Sequence, residues 1–199
     1  MEETYIVRRG LTDNAKRKLH ISPEAIRFEN KNRVAATYTT LVADDITDFR
    51  FGINWYVFKG IPFGREYRIF VRTRQGEELK IHFNSYFGRH KKAYIELYGQ
   101  IVNSIWKNHF ARITQEFLSE FEKGETFRIG DVVLHPDGLL LKRDDPQLLP
   151  WKEVRTANYA TYFSIYSEKD PMTRNHGFSY HLDWNTEVLK RVVNHIIKK

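Results

Sequence analysis

The stretch VVLHPDGLLLKRDDPQLLPWKEV, residues 132–154, decides the fold because its pattern occurs twice in the chain. A short apolar run meets a turn at 136–138, continues as three leucines, breaks at 144–146 and then resumes. Proline, aspartate and glycine suit the backbone angles of tight turns, so the pattern predicts a β-hairpin followed by a third strand. An earlier copy begins at 19–28, LHISPEAIRF, and is followed by a strand-like segment at 40–49. We therefore expect one β-rich unit built twice.

Each half of the chain also ends in a helical pattern. Apolar residues recur at helical spacing over 92–123 and again over 186–197. Within these segments the sequence IVNSIWK resembles VVNHIIK in spacing and in residue type. Asn84 or Ser85 is expected to cap the first helix. Because strands come first and one amphipathic helix comes last in both halves, an internal repeat is the most economical interpretation.

The second half resembles the bacterial pleckstrin-homology-like (PH-like) domain family. The residues that carry the resemblance are LHPDGL at 134–139, LPWKEV at 149–154 and YFSI at 162–165. The resemblance implies an α+β, mainly β fold of two tandem PH-like units. Each unit would be an antiparallel β-sandwich or partly open barrel closed by a C-terminal amphipathic helix. The first unit is expected over 1–123, with an aromatic insertion and the long helix, and a second, smaller unit over 124–199.

The resemblance also bears on function, since members of this superfold bind phosphoinositides, other anionic lipids or peptides. It implies a non-catalytic binding module that recognises an anionic lipid headgroup or an acidic protein surface. The alternative is a structural scaffold that oligomerises through the helical stretch 92–123. The apolar side chains available for such a homodimer are Phe110, Ile113, Phe117 and Phe121. We favour packing of the second half of this helix on the second unit.

Positive charge is concentrated in one segment. The net charge is +7, and residues 49–92 hold ten lysines and arginines but only three acidic residues, which accounts for the whole excess. Arginine forks match the geometry of phosphate, so an anionic partner is expected here. The candidate ligand-binding residues belong to the predicted hairpin at 65–80: Arg65, Arg68, Arg72, Arg74 and Lys80. The competing interpretation, a solvated sheet face, is the commoner one for such charges.

The segment 51–63 is unusually aromatic, and Lys59 is its only charged side chain. It is interpreted as a strand pair with a turn at Lys59 and Gly60. The alternative is an exposed apolar loop that faces a partner or a bilayer surface.

Motifs for catalysis are missing from the sequence. The chain has no cysteine, which excludes disulfides and thiolate metal sites. It has no nucleophile elbow, P-loop or dinucleotide-binding glycine pattern, so neither an enzyme nor a cofactor is expected. His20 and His135 occupy similar places in the two halves, which suggests a role at the turns rather than a metal site or catalysis. No recognition motif supports a nucleic-acid partner, although the chain is basic and aromatic.

The chain shows no signal-peptide pattern and no apolar run of the length needed for a transmembrane segment. We therefore expect a cytoplasmic protein, with peripheral association at the inner membrane surface if the ligand is a lipid.

Overall fold

The computed structural model describes residues 2–10, 15–29, 37–142, 145 and 147–198. The chain divides into two compact units, Met1–Ala111 and Arg112–Lys199. Two residues of the break predicted at 144–146, Asp144 and Pro146, lie outside the described residues. The fold is mainly β, with antiparallel sheets and a long helical stretch.

The first unit contains two antiparallel sheets whose strands follow one another in chain order. The strands of the first sheet are β1 (Glu3–Val7), β2 (Arg17–Ile21), β3 (Ala25–Glu29) and β4 (Tyr38–Val42). A 3-10 turn, Ala43–Asp45, leads to the second sheet, which consists of β5 (Ile46–Phe58), β6 (Ile61–Thr73) and β7 (Glu78–Tyr86).

Strand β6 shows why the sequence folds in this way. Tyr67, Ile69 and Val71 are fully buried on one face, as the strict alternation of the sequence predicts. Arg68 and Arg72 lie on the opposite face, where their charged groups reach water. The apolar face packs against the helix that follows β7, since Tyr67 contacts Tyr98 with the ring centroids 5.6 Å apart.

The helical stretch runs from α1 (Lys91–Ile105) through a π-helical segment (Trp106–Phe110) to α2 (Ala111–Glu122). These bounds agree with the predicted helix over 92–123. The predicted cap is wrong, because Asn84 and Ser85 belong to β7, where they pair with β6. Residue His90, in the left-handed conformation, precedes the helix instead.

The second unit has strands in the same order as the first. After α2, a four-stranded sheet contains β8 (Phe127–Ile129), β9 (Val132–His135), β10 (Gly138–Leu140) and β11 (Leu149–Pro150). A 3-10 turn, Trp151–Glu153, leads to a three-stranded sheet of β12 (Val154–Asn158), β13 (Tyr162–Ser167) and β14 (Asn175–Ser179). The chain closes with α3 (Thr186–Ile196), whose apolar side covers this unit's core. The predicted hairpin and third strand are β9, β10 and β11.

The two units also share a local hydrogen bond. Thr4 and His20 are joined between Oγ1 and Nδ1 at 3.0 Å, and Thr126 and His135 are joined by the same atoms at 3.0 Å. Each histidine is at a matching place on the second strand of its unit, so both rings tie adjacent parts of a sheet together.

Helix α2 packs within the second unit. The Phe117 ring stacks on Phe127 with the centroids 5.3 Å apart, and the Phe121 ring meets Trp151 edge-on at 5.6 Å. The boundary between the compact units therefore falls inside the helical stretch rather than after residue 123. Upstream, Phe110 stacks on Phe49 in the first unit at 4.9 Å. Phe110, Phe117 and Phe121 are three of the side chains named above for a homodimer, and each of them packs on a ring of its own chain.

Candidate anion-binding site

The predicted basic residues are distributed over both faces of the sheet formed by β5, β6 and β7. The register places Arg68, Arg72 and Lys80 on its outer face. Arg74 follows β6 and is exposed at the turn to β7. Arg65 is on the opposite face, because it is separated from Tyr67 by two positions along β6. The five residues therefore do not form one binding site.

Acidic neighbours occupy much of the outer face. Arg68 is 2.6 Å from Glu66, and Arg72 is 3.1 Å from Asp48. On the next strand, Lys80 is 3.9 Å from Glu78. Since each cation has a carboxylate beside it, this face attracts an external anion less strongly than the excess of lysine and arginine in the sequence indicates.

The ionisation of Glu66 reflects this pairing. Burial acts to raise the pKa of Glu66, but the hydrogen bond and charge of Arg68 outweigh it, and the pKa lies below its ordinary value. The same hydrogen bond raises the pKa of the Arg68 guanidinium. The pair is therefore ionised at neutral pH, and a ligand that binds Arg68 has to compete with Glu66.

The hairpin of β5 and β6 extends past the third strand. Strand β7 reaches β6 only as far as the pair Gly64 and Tyr86, whereas β5 and β6 continue to the pair Phe58 and Ile61. The turn lies at Lys59 and Gly60, both with positive φ, as suits a two-residue hairpin turn. The strand-pair interpretation of residues 51–63 is thus confirmed.

The end of this hairpin is exposed and apolar. We call four of its side chains the apolar tip: Val57, Phe58, Ile61 and Pro62. Phe58 is 66% exposed and Ile61 is 70% exposed. At the base of the tip, the Arg65 guanidinium is 3.9 Å from the centre of the Trp55 ring, a cation–π contact.

A cavity of about 420 Å³ lies in the first unit, where the end of β1 meets the end of β7 and the start of α1. Its polar lining includes Arg8, Arg89 and His90. Its aromatic walls include Tyr86 and Tyr94, and this volume is in the usual range for small-ligand sites.

Asn84 holds the two strands together at this cavity. It donates its backbone N–H to the carbonyl oxygen of Arg9 at 3.1 Å and its side-chain N–H to the same oxygen at 3.0 Å. This anchor places Arg8, next in sequence to Arg9, at the cavity wall. On the other side, Phe87 donates its backbone N–H to the carbonyl oxygen of Phe63 at 2.7 Å, which fixes the loop that carries Arg89.

The charged side chains among the described residues that line the cavity are all basic. Arg8 and Arg89 are the two arginines, and these described residues include no aspartate or glutamate. Helix α1 adds to this positive potential, because its first turn contains no acidic residue and its exposed N–H groups carry partial positive charge. The site can therefore accept a compact anion through forked hydrogen bonds.

Sequence reasoning missed this cavity. Arg89 belongs to the basic segment 49–92, whereas Arg8 directly follows the first strand and is part of no motif. Only the hydrogen bonds from Asn84 in β7 to Arg9, just after β1, bring the two residues to one cavity.

Comparison with known protein families, curated proteins and solved structures gives no significant match to this chain. In the part of the chain that the structure describes, no helix is both long and apolar enough to span a membrane. The same residues include no cluster of three or more histidine or acidic side chains suited to holding a metal ion.

Proposed function

We propose that this chain is a non-catalytic binding module of two tandem PH-like units, and that its first unit binds a phosphate-bearing anion in the cavity beside α1. The PH-like assignment is supported by the order of elements, a four-stranded sheet, a three-stranded sheet and a final helix in both units. Fold by itself selects no ligand, so the choice of an anion rests on the cavity.

One observation carries the proposal: in the described part of the chain the cavity is lined by Arg8, Arg89 and His90, with no acidic side chain among its described lining residues. On the outer sheet face, by contrast, an anion near Arg68 competes with Glu66, which is already 2.6 Å away. Two guanidinium groups at one cavity favour a phosphate, whose oxygens accept forked hydrogen bonds.

The phosphate belongs either to a lipid headgroup or to a soluble phosphate ester. With a lipid, the protein would act in the cytoplasm as a peripheral protein at the inner membrane surface. An acidic protein partner is the competing outcome of the experiment below.

Titration calorimetry with glycerol 3-phosphate, and binding to vesicles that contain phosphatidic acid, test the two sources. The double variant Arg8→Gln with Arg89→Gln should weaken both interactions by on the order of 10-fold to 100-fold, because charge-assisted hydrogen bonds are lost. Binding only to vesicles would identify a lipid as the source, and equal binding of the free ester would identify a soluble ligand.

The matched control is Arg74→Gln with Lys80→Gln, which removes the same charge from exposed positions outside the cavity. This control should bind within about 2-fold of the natural protein. If the control lost binding and the cavity variant kept it, the ligand would occupy the basic sheet face. If neither phosphate source bound at low salt, an acidic protein would replace phosphate as the proposed partner.

A further inference from the structure

We propose that the apolar tip of the β5–β6 hairpin inserts into the surface of an anionic bilayer. This inference extends the proposed function, because it names the surface at which the phosphate-binding unit acts. The four side chains of the tip lie beyond the third strand of the sheet, where the hairpin is only two strands wide.

Both faces of this ribbon are apolar. Phe58 pairs with Ile61, and the preceding pair is Val57 with Pro62. Successive cross-strand pairs point to opposite sides of a hairpin, so each side presents one apolar pair. A protein surface would cover one side of such a ribbon, whereas a bilayer surrounds it. The arrangement therefore fits a lipid surface better than a flat protein interface.

Two basic side chains flank the apolar tip. Every charged residue from 49 to 65 is basic, and two of them, Lys59 and Arg65, are at the turn and at the base of the tip. Anionic headgroups attract lysine and arginine near a membrane surface. The charge and the apolar side chains thus favour the same partner.

The dimensions of the hairpin suit shallow insertion. From the pair at Tyr56 to the turn, the ribbon advances by three residues, or roughly 10 Å at the rise of a β-strand. This is about the depth that interfacial segments reach at the boundary between headgroups and acyl chains. Lys59 is at the turn, and its flexible stem allows the ammonium group to return to the phosphate level while Phe58 enters.

The tip is also adjacent to the cavity. The ring of Phe63, at the base of the hairpin, is 6.1 Å from the ring of Phe87, which lines the cavity and is 77% exposed. Insertion of the tip would therefore bring the cavity opening close to the headgroups.

Flotation with vesicles of phosphatidylcholine and phosphatidylserine tests the inference, since neither headgroup carries a phosphate monoester for the cavity. The variant Phe58→Ser with Ile61→Ser should lose at least about 10-fold in vesicle affinity, because two exposed apolar side chains no longer enter the lipid. The control Met172→Ser with Leu182→Ser removes two side chains of the second unit that are 86% and 61% exposed, and should change affinity by less than about 2-fold. The variant Ile61→Trp places a fluorescent tryptophan at the tip. Lipids brominated in the acyl chain should quench the fluorescence of this tryptophan if the tip enters the bilayer.

Titration with glycerol 3-phosphate separates this inference from the proposed function. The tip variant should retain that interaction, which also shows that it is folded. Vesicle affinity that is unaffected by Phe58→Ser with Ile61→Ser would overturn tip insertion, whatever the cavity binds. Failure to float with anionic vesicles at low salt, while glycerol 3-phosphate binds, would overturn insertion and leave the phosphate site in place.

Discussion

Two glycines, Gly138 and Gly99, differ in the space around them. Gly138 in β10 pairs with Pro150, and a Cβ there would overlap the carbonyl oxygen of Leu149 in β11. A Cβ on Gly99 in α1 would meet no atom within 4 Å. The first position needs glycine so that two backbones can approach, whereas the second carries only the conformational cost of glycine in a helix.

The substitution to alanine should act in opposite directions at these positions. Gly138→Ala should lower the free energy of unfolding by about 2 kcal/mol, since β10 and β11 must separate. Gly99→Ala should raise it by about 0.5–1 kcal/mol, because alanine restricts the unfolded chain and favours the helix. Urea unfolding followed by circular dichroism measures both. Unchanged stability of Gly138→Ala would show that β11 does not approach β10 so closely.

Strand β6 combines a buried apolar face with an outer face held by ion pairs. The pair of Arg68 and Glu66 joins two residues of the same strand, and the pair of Arg72 and Asp48 joins β6 to β5. The pairing of Glu66 makes part of the stability of this sheet dependent on pH, since its pKa is lower in the folded chain than its ordinary value.

The variant Glu66→Gln should reveal this dependence. A carboxyl group with a depressed folded pKa stabilises the fold above its ordinary pKa, and the contribution disappears as the pH falls through the folded value. At pH 7 the variant should be less stable by roughly 1 kcal/mol, and the difference should shrink as the pH falls below the ordinary pKa of a glutamate, 4.5. Urea unfolding across this range measures it. A deficit that did not shrink at all below the ordinary pKa would contradict the ionic origin. Adding Arg68→Gln provides the double-mutant control.

At the scale of the whole molecule, one helical stretch contributes to both compact units. Phe110 belongs to the first unit and stacks on Phe49, whereas Phe117 and Phe121 pack on Phe127 and Trp151 in the second. The functional features proposed here, the cavity and the apolar tip, lie in the first unit alone.

Replacing Phe117 and Phe121 with serine should destabilise the second unit without changing the mass in solution. The loss should be about 3 kcal/mol or more, because two half-buried rings leave their partners uncovered. Chemical unfolding and light scattering measure the two quantities. The control Gln115→Ser changes an exposed position of α2 and should have little effect on either. A change from dimer to folded monomer would show instead that these rings form an assembly surface.

Local order was predictable from the sequence. The alternation around Tyr67, the turn at Lys59 and Gly60, the hairpin at 132–140 and the long helix all depend on residues that are close in the chain. Backbone angles and the period of apolar residues depend on a few neighbouring positions. The strands, turns and helices that they indicate can therefore be recognised without knowledge of the fold. The predicted helix cap at Asn84 or Ser85 failed because pairing with β6 extends β7 through both residues.

The grouping of charges was decided by tertiary structure alone. Strand register sets Asp48 beside Arg72, and the hydrogen bonds from Asn84 to the carbonyl oxygen of Arg9 bring Arg8 to the cavity with Arg89. Composition counts charges but contains no distances, whereas electrostatic attraction depends on distance and on burial. The sequence by itself therefore determined the alternation around Tyr67, the hairpin at 132–140 and the long helix, and the tertiary structure decided which arginines are paired and which line a cavity.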